Sequence, residues 1–356
     1  MGFLDALMAF FARLFGSTPA PPVQEDEPLQ VVTPRVLVIN FDPIVDGQGT
    51  RLTTKMGWNN TDDLIRDFIA AMEEVSYGLV KYQYKSVDRI DVDEIPRKKD
   101  GFQYTAASYL SMMQDEKTHH DPDEVDYWKI VNDYHLIDRV MSNQFEEVWL
   151  FGGPYFGFWE SHMVGRGAIW CNSSPLANSD RCTRRFVIMG FNYQRGVGEM
   201  IHDIGHRIES VMAYVFDSVE SLNDAYDSVN PKIQPPVGPD RFINPKNDFE
   251  RFMLFEKIAP GRAEMGLVHT PPNGDKDYDW QNSNIVSSTC DDWLDYPNLT
   301  GRRRMLSCSE WGCDADGYGY SKWWLKHVPH VEGRKNGISN NWWKYAMQVD
   351  QPFRAR

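Results

Sequence analysis

The sequence predicts an α/β fold: a partly parallel sheet flanked by helices, with a long loop-rich, Trp-rich C-terminal region wrapped on it. Three observations carry that prediction. The runs at 35–41, 147–151 and 186–190 are apolar almost without a break, as strands buried on both faces are. Segments with apolar residues at helical spacing lie between them. Turns rich in Asp, Pro or Gly close the strands, at Asp42-Pro43 and at 152–157. In such sheets the loops at the carboxyl ends of strands carry the chemistry. Asp42, the 152–157 turn and the loop before Glu199 are therefore candidate positions.

The elements follow in order. Residues 1–16 are greasy, through Phe3, Leu4, Leu7, Met8, Phe10, Phe11, Leu14 and Phe15, but Asp5 and Arg13 interrupt them. The stretch lacks the charged start of a signal peptide and is too short to span a bilayer. It reads as an amphipathic segment able to touch a membrane surface or dock on the body, or as a degenerate export signal. Residues 17–34, with five prolines and the run Glu25-Asp26-Glu27, read as a linker to a single domain at 35–356. A helix is expected at 63–75, with Leu64, Phe68, Met72 and Val75 on one side, then a strand at 77–84. A mobile stretch near 96–101 precedes helices expected at 106–113 and 122–143. From Gly261 onward periodicity fades, and the many tryptophans can anchor long loops by burying large rings.

Composition narrows the function. With 356 residues, 42% of them hydrophobic, the chain can bury a large core. A net charge of -14 makes a nucleic-acid backbone a poor partner. Five cysteines allow two disulfides and one free thiol, which fits an oxidising compartment. Cys171 and Cys182 are close enough in sequence to bridge, and Cys290, Cys308 and Cys313 cluster later. No CxxC pair, P-loop, GxGxxG spacing or GxSxG elbow is present. The 152–157 turn reads as a tight turn packed under aromatic rings. Glu160, Ser161 and His162 follow it, and no spacing assigns them a role.

One helix carries two stripes. Val197, Ile201, Ile204, Ile208, Val211 and Val215 follow at spacings of four and three and make an apolar seam. Glu199, His202, His206 and Glu209 follow at three, four and three, forming a second row about 100° round the helix. Core packing explains the first row and not the second. Two histidines at i and i+4 can hold one zinc ion, and adjacent carboxylates can ligate it or take a proton. The third ligand is expected from His269, in a segment stiffened by Pro271 and Pro272, or else from Glu209. Asp203 and Glu199 are the candidate bases for metal-bound water. Asp203 also precedes Arg207 by four, the spacing of a surface ion pair. Asp275, Asp277 and Asp279 alternate as calcium ligands do, without the closing Glu of an EF-hand. The plainer reading is a polar helix face whose histidines are satisfied by hydrogen bonds.

Several stretches together resemble a family of uncharacterised, exported bacterial proteins. They are residues 151–161 (FGGPYFGFWES), 185–193 (RFVIMGFNY), 198–200, 205–210 (GHRIES), 269–273 (HTPPN), 277–280 and 290–293. The resemblance runs from about Val36 to Trp343. It implies export and one long domain, and it names no reaction. It points to Glu199, His206, Glu209 and His269 as the functional set, with His202 outside it. The five residues from His202 to His206 are also similar to a zincin-type metallopeptidase helix, with Asp203 where that helix has Glu.

The expectation is therefore a zinc-dependent hydrolase of peptide or amide bonds, acting outside the cytoplasm. The alternative is a non-catalytic exported module whose aromatic-rich loops bind a glycan or another surface partner.

Overall fold

A five-stranded sheet lies at the centre of the computed structural model, which describes residues 23–85, 87–233 and 237–353. After a short outlying β1 (Gln24–Glu25), its strands are β2 (Val36–Phe41), β3 (Arg89–Val92), β4 (Glu147–Gly152), β5 (Ser161–Val164) and β6 (Phe186–Asn192). They lie in the order β3-β2-β4-β6-β5. β2, β3, β4 and β6 are parallel, and β5 runs antiparallel against β6. The fold is α/β, as the apolar runs predict.

Strand alternation divides the core in two. Val36, Val38, Trp149, Phe151, Val187 and Met189 face one side. Leu37, Ile39, Phe41, Val148, Leu150 and Ile188 face the other. The helices are α1 (Leu52–Met56), α2 (Thr61–Val75), α3 (Ala106–Met112), α4 (Tyr127–Asp133), α5 (Leu136–Met141), α6 (Val197–Val215), α7 (Val219–Asp227), α8 (Asp248–Phe252), α9 (Tyr318–Lys326) and α10 (Trp342–Met347). Helices α3, α4 and α5 cover the second face. The first face takes α2, α6 and the C-terminal region, including α9 and α10. There Trp280, Trp293, Trp311, Trp324, Trp342 and Trp343 are all buried, anchoring the long loops as expected.

The structure corrects several expectations. Residues 77–84 form no strand; Val80 and Gln83 make isolated parallel pairings with Val32 and Arg35. The sheet edge is instead β3, whose Arg-Ile-Asp-Val pattern has no apolar run to betray it. The long helix at 122–143 divides into α4 and α5, because His135 adopts a positive φ of 51° between them. The stretch at 96–101 is anchored at Lys98. The buried Lys98 ammonium donates to the Asp123 carbonyl and carboxylate and to the Tyr155 carbonyl.

The linker reading also changes for residues 23–34. β1 pairs with the strand His330–Lys335, Val32 is buried, and Glu27 accepts from Lys344 at 2.6 Å. Residues 1–16 and their expected membrane contact lie outside the described residues. No described helix is long and apolar enough to cross a membrane. One disulfide forms, Cys308–Cys313, while Cys171, Cys182 and Cys290 are free and buried. Cys171 and Cys182 cannot bridge, because they belong to the core clusters on opposite faces of the sheet.

A buried ion pair ties α6 to the sheet. Arg207 donates from both terminal nitrogens to the two oxygens of Glu147 on β4, at 2.8 Å each. The Trp149 indole also donates to Glu147 at 2.8 Å. Both charged side chains are almost completely buried. The surface pair expected between Asp203 and Arg207 is thus absent; Arg207 faces the sheet. Glu147→Gln should cost about 3–5 kcal/mol in urea unfolding, because it strands a buried guanidinium. Leu or Met substituted at both positions should cost far less.

Two buried imidazoles set an acid limit. Burial pushes both His162 and His327 down to about 4; the charges of Glu124 and Asp291 oppose this only in part. His162 stacks on Tyr127 and bonds Ser173, while His327 donates to the Trp323 carbonyl. Unfolded histidine titrates near 6.5, so between about 6.5 and 4 the unfolded chain binds more protons than the folded one. Stability is therefore full above pH ~6.5 and falls as pH drops toward ~4, by up to about 3 kcal/mol per histidine. Urea unfolding of the metal-free chain at several pH values checks this, and a His162→Asn, His327→Asn chain should show a shallower fall.

Candidate metal centre

Helix α6 leaves the carboxyl end of β6 through residues 193–196 and runs back along the sheet. Its apolar seam is buried as predicted: Ile201, Ile204, Ile208, Val211 and Val215 join the core beneath. That seam turns the histidine row toward the C-terminal region, where His269 waits on a turn.

The turn is built by named contacts. Gly266 takes φ 74°, and a Cβ there would meet the Thr270 carbonyl at 2.3 Å, so only glycine fits. Thr270 N–H donates to the Leu267 carbonyl at 3.1 Å, closing a tight turn with Val268 and His269 at its tip. Tyr320 donates to the Leu267 carbonyl, Trp280 to that of Val268 and Trp324 to that of Gly266. Gly205 of α6 lets the turn come close: a Cβ there would lie 2.7 Å from a Val268 methyl.

Three imidazole nitrogens converge as a result. The Nε2 atoms of His202 and His206 are 3.0 Å apart, those of His206 and His269 3.0 Å, and those of His202 and His269 3.2 Å. Three nitrogens bound tetrahedrally to zinc at 2.0–2.1 Å sit about 3.3 Å apart. His206 Nδ1 lies 3.1 Å from Glu209 Oε2, so its proton belongs on that side and its Nε2 carries a lone pair. Burial, together with the neighbouring imidazoles, pushes His202 down to about 2 and His206 well below its usual value. Neutral imidazoles aimed at one point form a ligand set for a cation.

Each predicted site residue now has a place. His202, His206 and His269 come together. Glu209 does not join them, which corrects its reading as a ligand. It lies behind His206, and its oxygens accept from His206, Tyr226 and the Val268 N–H. Burial raises it to about 7 despite those donors. Glu209 orients one ligand and holds the turn that carries another. Glu199 pairs with Arg195 at the start of α6 and lines a cavity of about 850 Å³ together with His202. Asp203 is fully buried, lines neither cavity beside the histidines, and touches no hydrogen-bond donor.

The calcium reading of 275–279 finds no support. Asp279 accepts from the Asp275 N–H and from Asn282, and Asp277 turns to His269, 3.7 Å from Nδ1. Asp42 caps α1 through Thr53, and the 152–157 turn packs against Trp58, Tyr109 and Phe158. Sequence reasoning left Glu160 without a role. It lines the first cavity and a second of about 830 Å³ that reaches His206 and His269. Tyr278, its ring 4.0 Å from that of His269 and tilted 36° to it, also lines both. Both residues sit in loops, where no periodicity marks them.

Comparison of the chain with family models, curated proteins and solved structures returns no match.

Two substitutions test the supports of this centre. Glu209→Gln should lower the affinity of the three histidines for a divalent metal about 10–100-fold, the usual loss when a partner behind a histidine ligand is altered. Gly205→Ala should push the His269 turn away and weaken metal binding at unchanged circular dichroism. Competition against a metal chelator, with zinc as the probe, measures both.

Proposed function

We propose that this chain is a zinc-dependent hydrolase acting on an amide bond in a peptide or peptide-like substrate. The observation that carries the reading is the 3.0–3.2 Å triangle of His202, His206 and His269 nitrogens. Three protein ligands leave the fourth zinc position for water, whose pKa the metal lowers to about 7. Glu199, or Glu160 across the same cavity, would take the water's proton. Burial, then the nearby Glu199 charge, raises Glu160 to about 7, suited to exchanging protons near neutrality. Asp203 is the poorer base because it does not face the cavity.

The two cavities support an extended substrate. His202 lines one, His206 and His269 line the other, and Glu160 and Tyr278 border both. Asp67, Glu160, Glu199 and Asp316 outnumber Arg195 in the first, which favours a cationic group there. Trp170, Val219, Leu222 and Tyr226 line the second, which favours an apolar one. The half-exposed Trp170 is also what a glycan-binding reading would use. The Cys308–Cys313 disulfide supports an exported location, in keeping with the family resemblance.

Metal analysis of the untagged chain should find close to one zinc per molecule, and His206→Ala should abolish both zinc and hydrolysis of a mixed peptide library. Less than about a tenth of an equivalent of any transition metal, with no zinc-dependent thermal shift, would overturn the reading.

A further inference from the structure

We propose that Glu160, Glu199 and Asp203 form a second cation site, for a hard divalent ion such as Mg2+ or Mn2+, beside the histidine triangle. Each offers a carboxylate oxygen, and these oxygens lie within 4.8 Å of one another. Two come from successive turns of α6 and the third from the loop leading into β5.

Clustered acids alone would mean little; the state of Asp203 is the separate observation. It is 1% exposed, and neither oxygen has a hydrogen-bond partner. Other buried carboxylates here collect donors: Glu209 has three, and Glu264 accepts from Thr289, Trp293 and Arg251. What Asp203 meets instead is a carboxylate oxygen of Glu160 and one of Glu199, all within 4.8 Å of one another. A carboxylate taken out of water without a donor is unstable unless a cation or a proton joins it.

Charge count and ligand type identify the occupant. Arg195 pairs with Glu199, and Asn172 donates to Glu160, but Asn172 carries no charge. Three carboxylates against one guanidinium leave two negative charges in excess, which one divalent cation cancels. An all-oxygen set suits Mg2+ or Mn2+, whereas the imidazole triangle suits zinc. Glu160 and Glu199 open onto the cavity that His202 lines, so water could complete the ion's shell. Carboxylates engaged as ligands of such an ion would no longer be free as bases, so the base role of Glu160 or Glu199 belongs to the chain with this second site empty. The site goes beyond the zinc reading and stands or falls apart from it.

Titration of the chelator-dialysed full chain with Mn2+, read by electron paramagnetic resonance and calorimetry, tests it. His206→Ala, which lacks the zinc site, should still bind one Mn2+ and release it to excess Mg2+. Asp203→Asn and Glu160→Gln should each weaken Mn2+ at least about tenfold, since affinity at oxygen sites follows ligand charge. Their zinc content should stay unchanged, which also shows that both variants fold. Absence of Mn2+ binding at about millimolar concentration, where weak oxygen sites still fill, would overturn the proposal. So would Mn2+ binding that both substitutions leave intact. Either result would mean that the cluster holds a proton instead of an ion.

Discussion

The bidentate pair between Arg207 and Glu147 sets the rotation of α6 on the sheet, and everything at the centre depends on that rotation. A helix seated only by Ile and Val side chains could turn by some degrees at small cost. A guanidinium buried against one carboxylate cannot, since any turn would leave both charges unpaired in a low-dielectric interior. Arg207 points at β4, so His206, about 100° away round the helix, points along the cavity side. His202, one turn earlier, follows it.

The second requirement is a fixed position for the third imidazole. His269 sits on a turn with no regular structure of its own. Its backbone carbonyls are held by a phenol and two indoles, from Tyr320, Trp280 and Trp324. Glu209 grips the same turn by the Val268 N–H while holding His206 from behind. One carboxylate thereby couples two ligands from distant parts of the chain. The Trp-rich C-terminal region thus serves as the frame for this turn. Most of its ring faces are spent in the core, which leaves little aromatic surface for sugar stacking.

Polar groups at the centre of a large apolar cluster lower stability, and their number here is high. Three imidazoles and the Glu209 and Asp203 carboxylates lie beside the buried seam of α6. Glu209 is repaid by hydrogen bonds; Asp203 is not. Burying a carboxylate without a donor has no structural benefit, and that cost is the ground for the cation proposed beside Asp203.

The sequence by itself determined the three central strands, β2, β4 and β6, because residues buried on both faces must be apolar in an unbroken run. It also determined the two stripes of α6, since a helix repeats every 3.6 residues and the histidines fall on that repeat. It named His202, His206 and His269 from spacing and from proline stiffness. Only tertiary structure decided which carboxylates attend them. Glu209 moved behind His206, Glu160 joined from a loop, and Arg207 chose Glu147, 60 residues away, over Asp203 on its own helix. The same holds for the cysteines, which the sheet keeps on opposite faces. Periodicity records what a residue meets along its own element; partners across loops and layers leave no such trace.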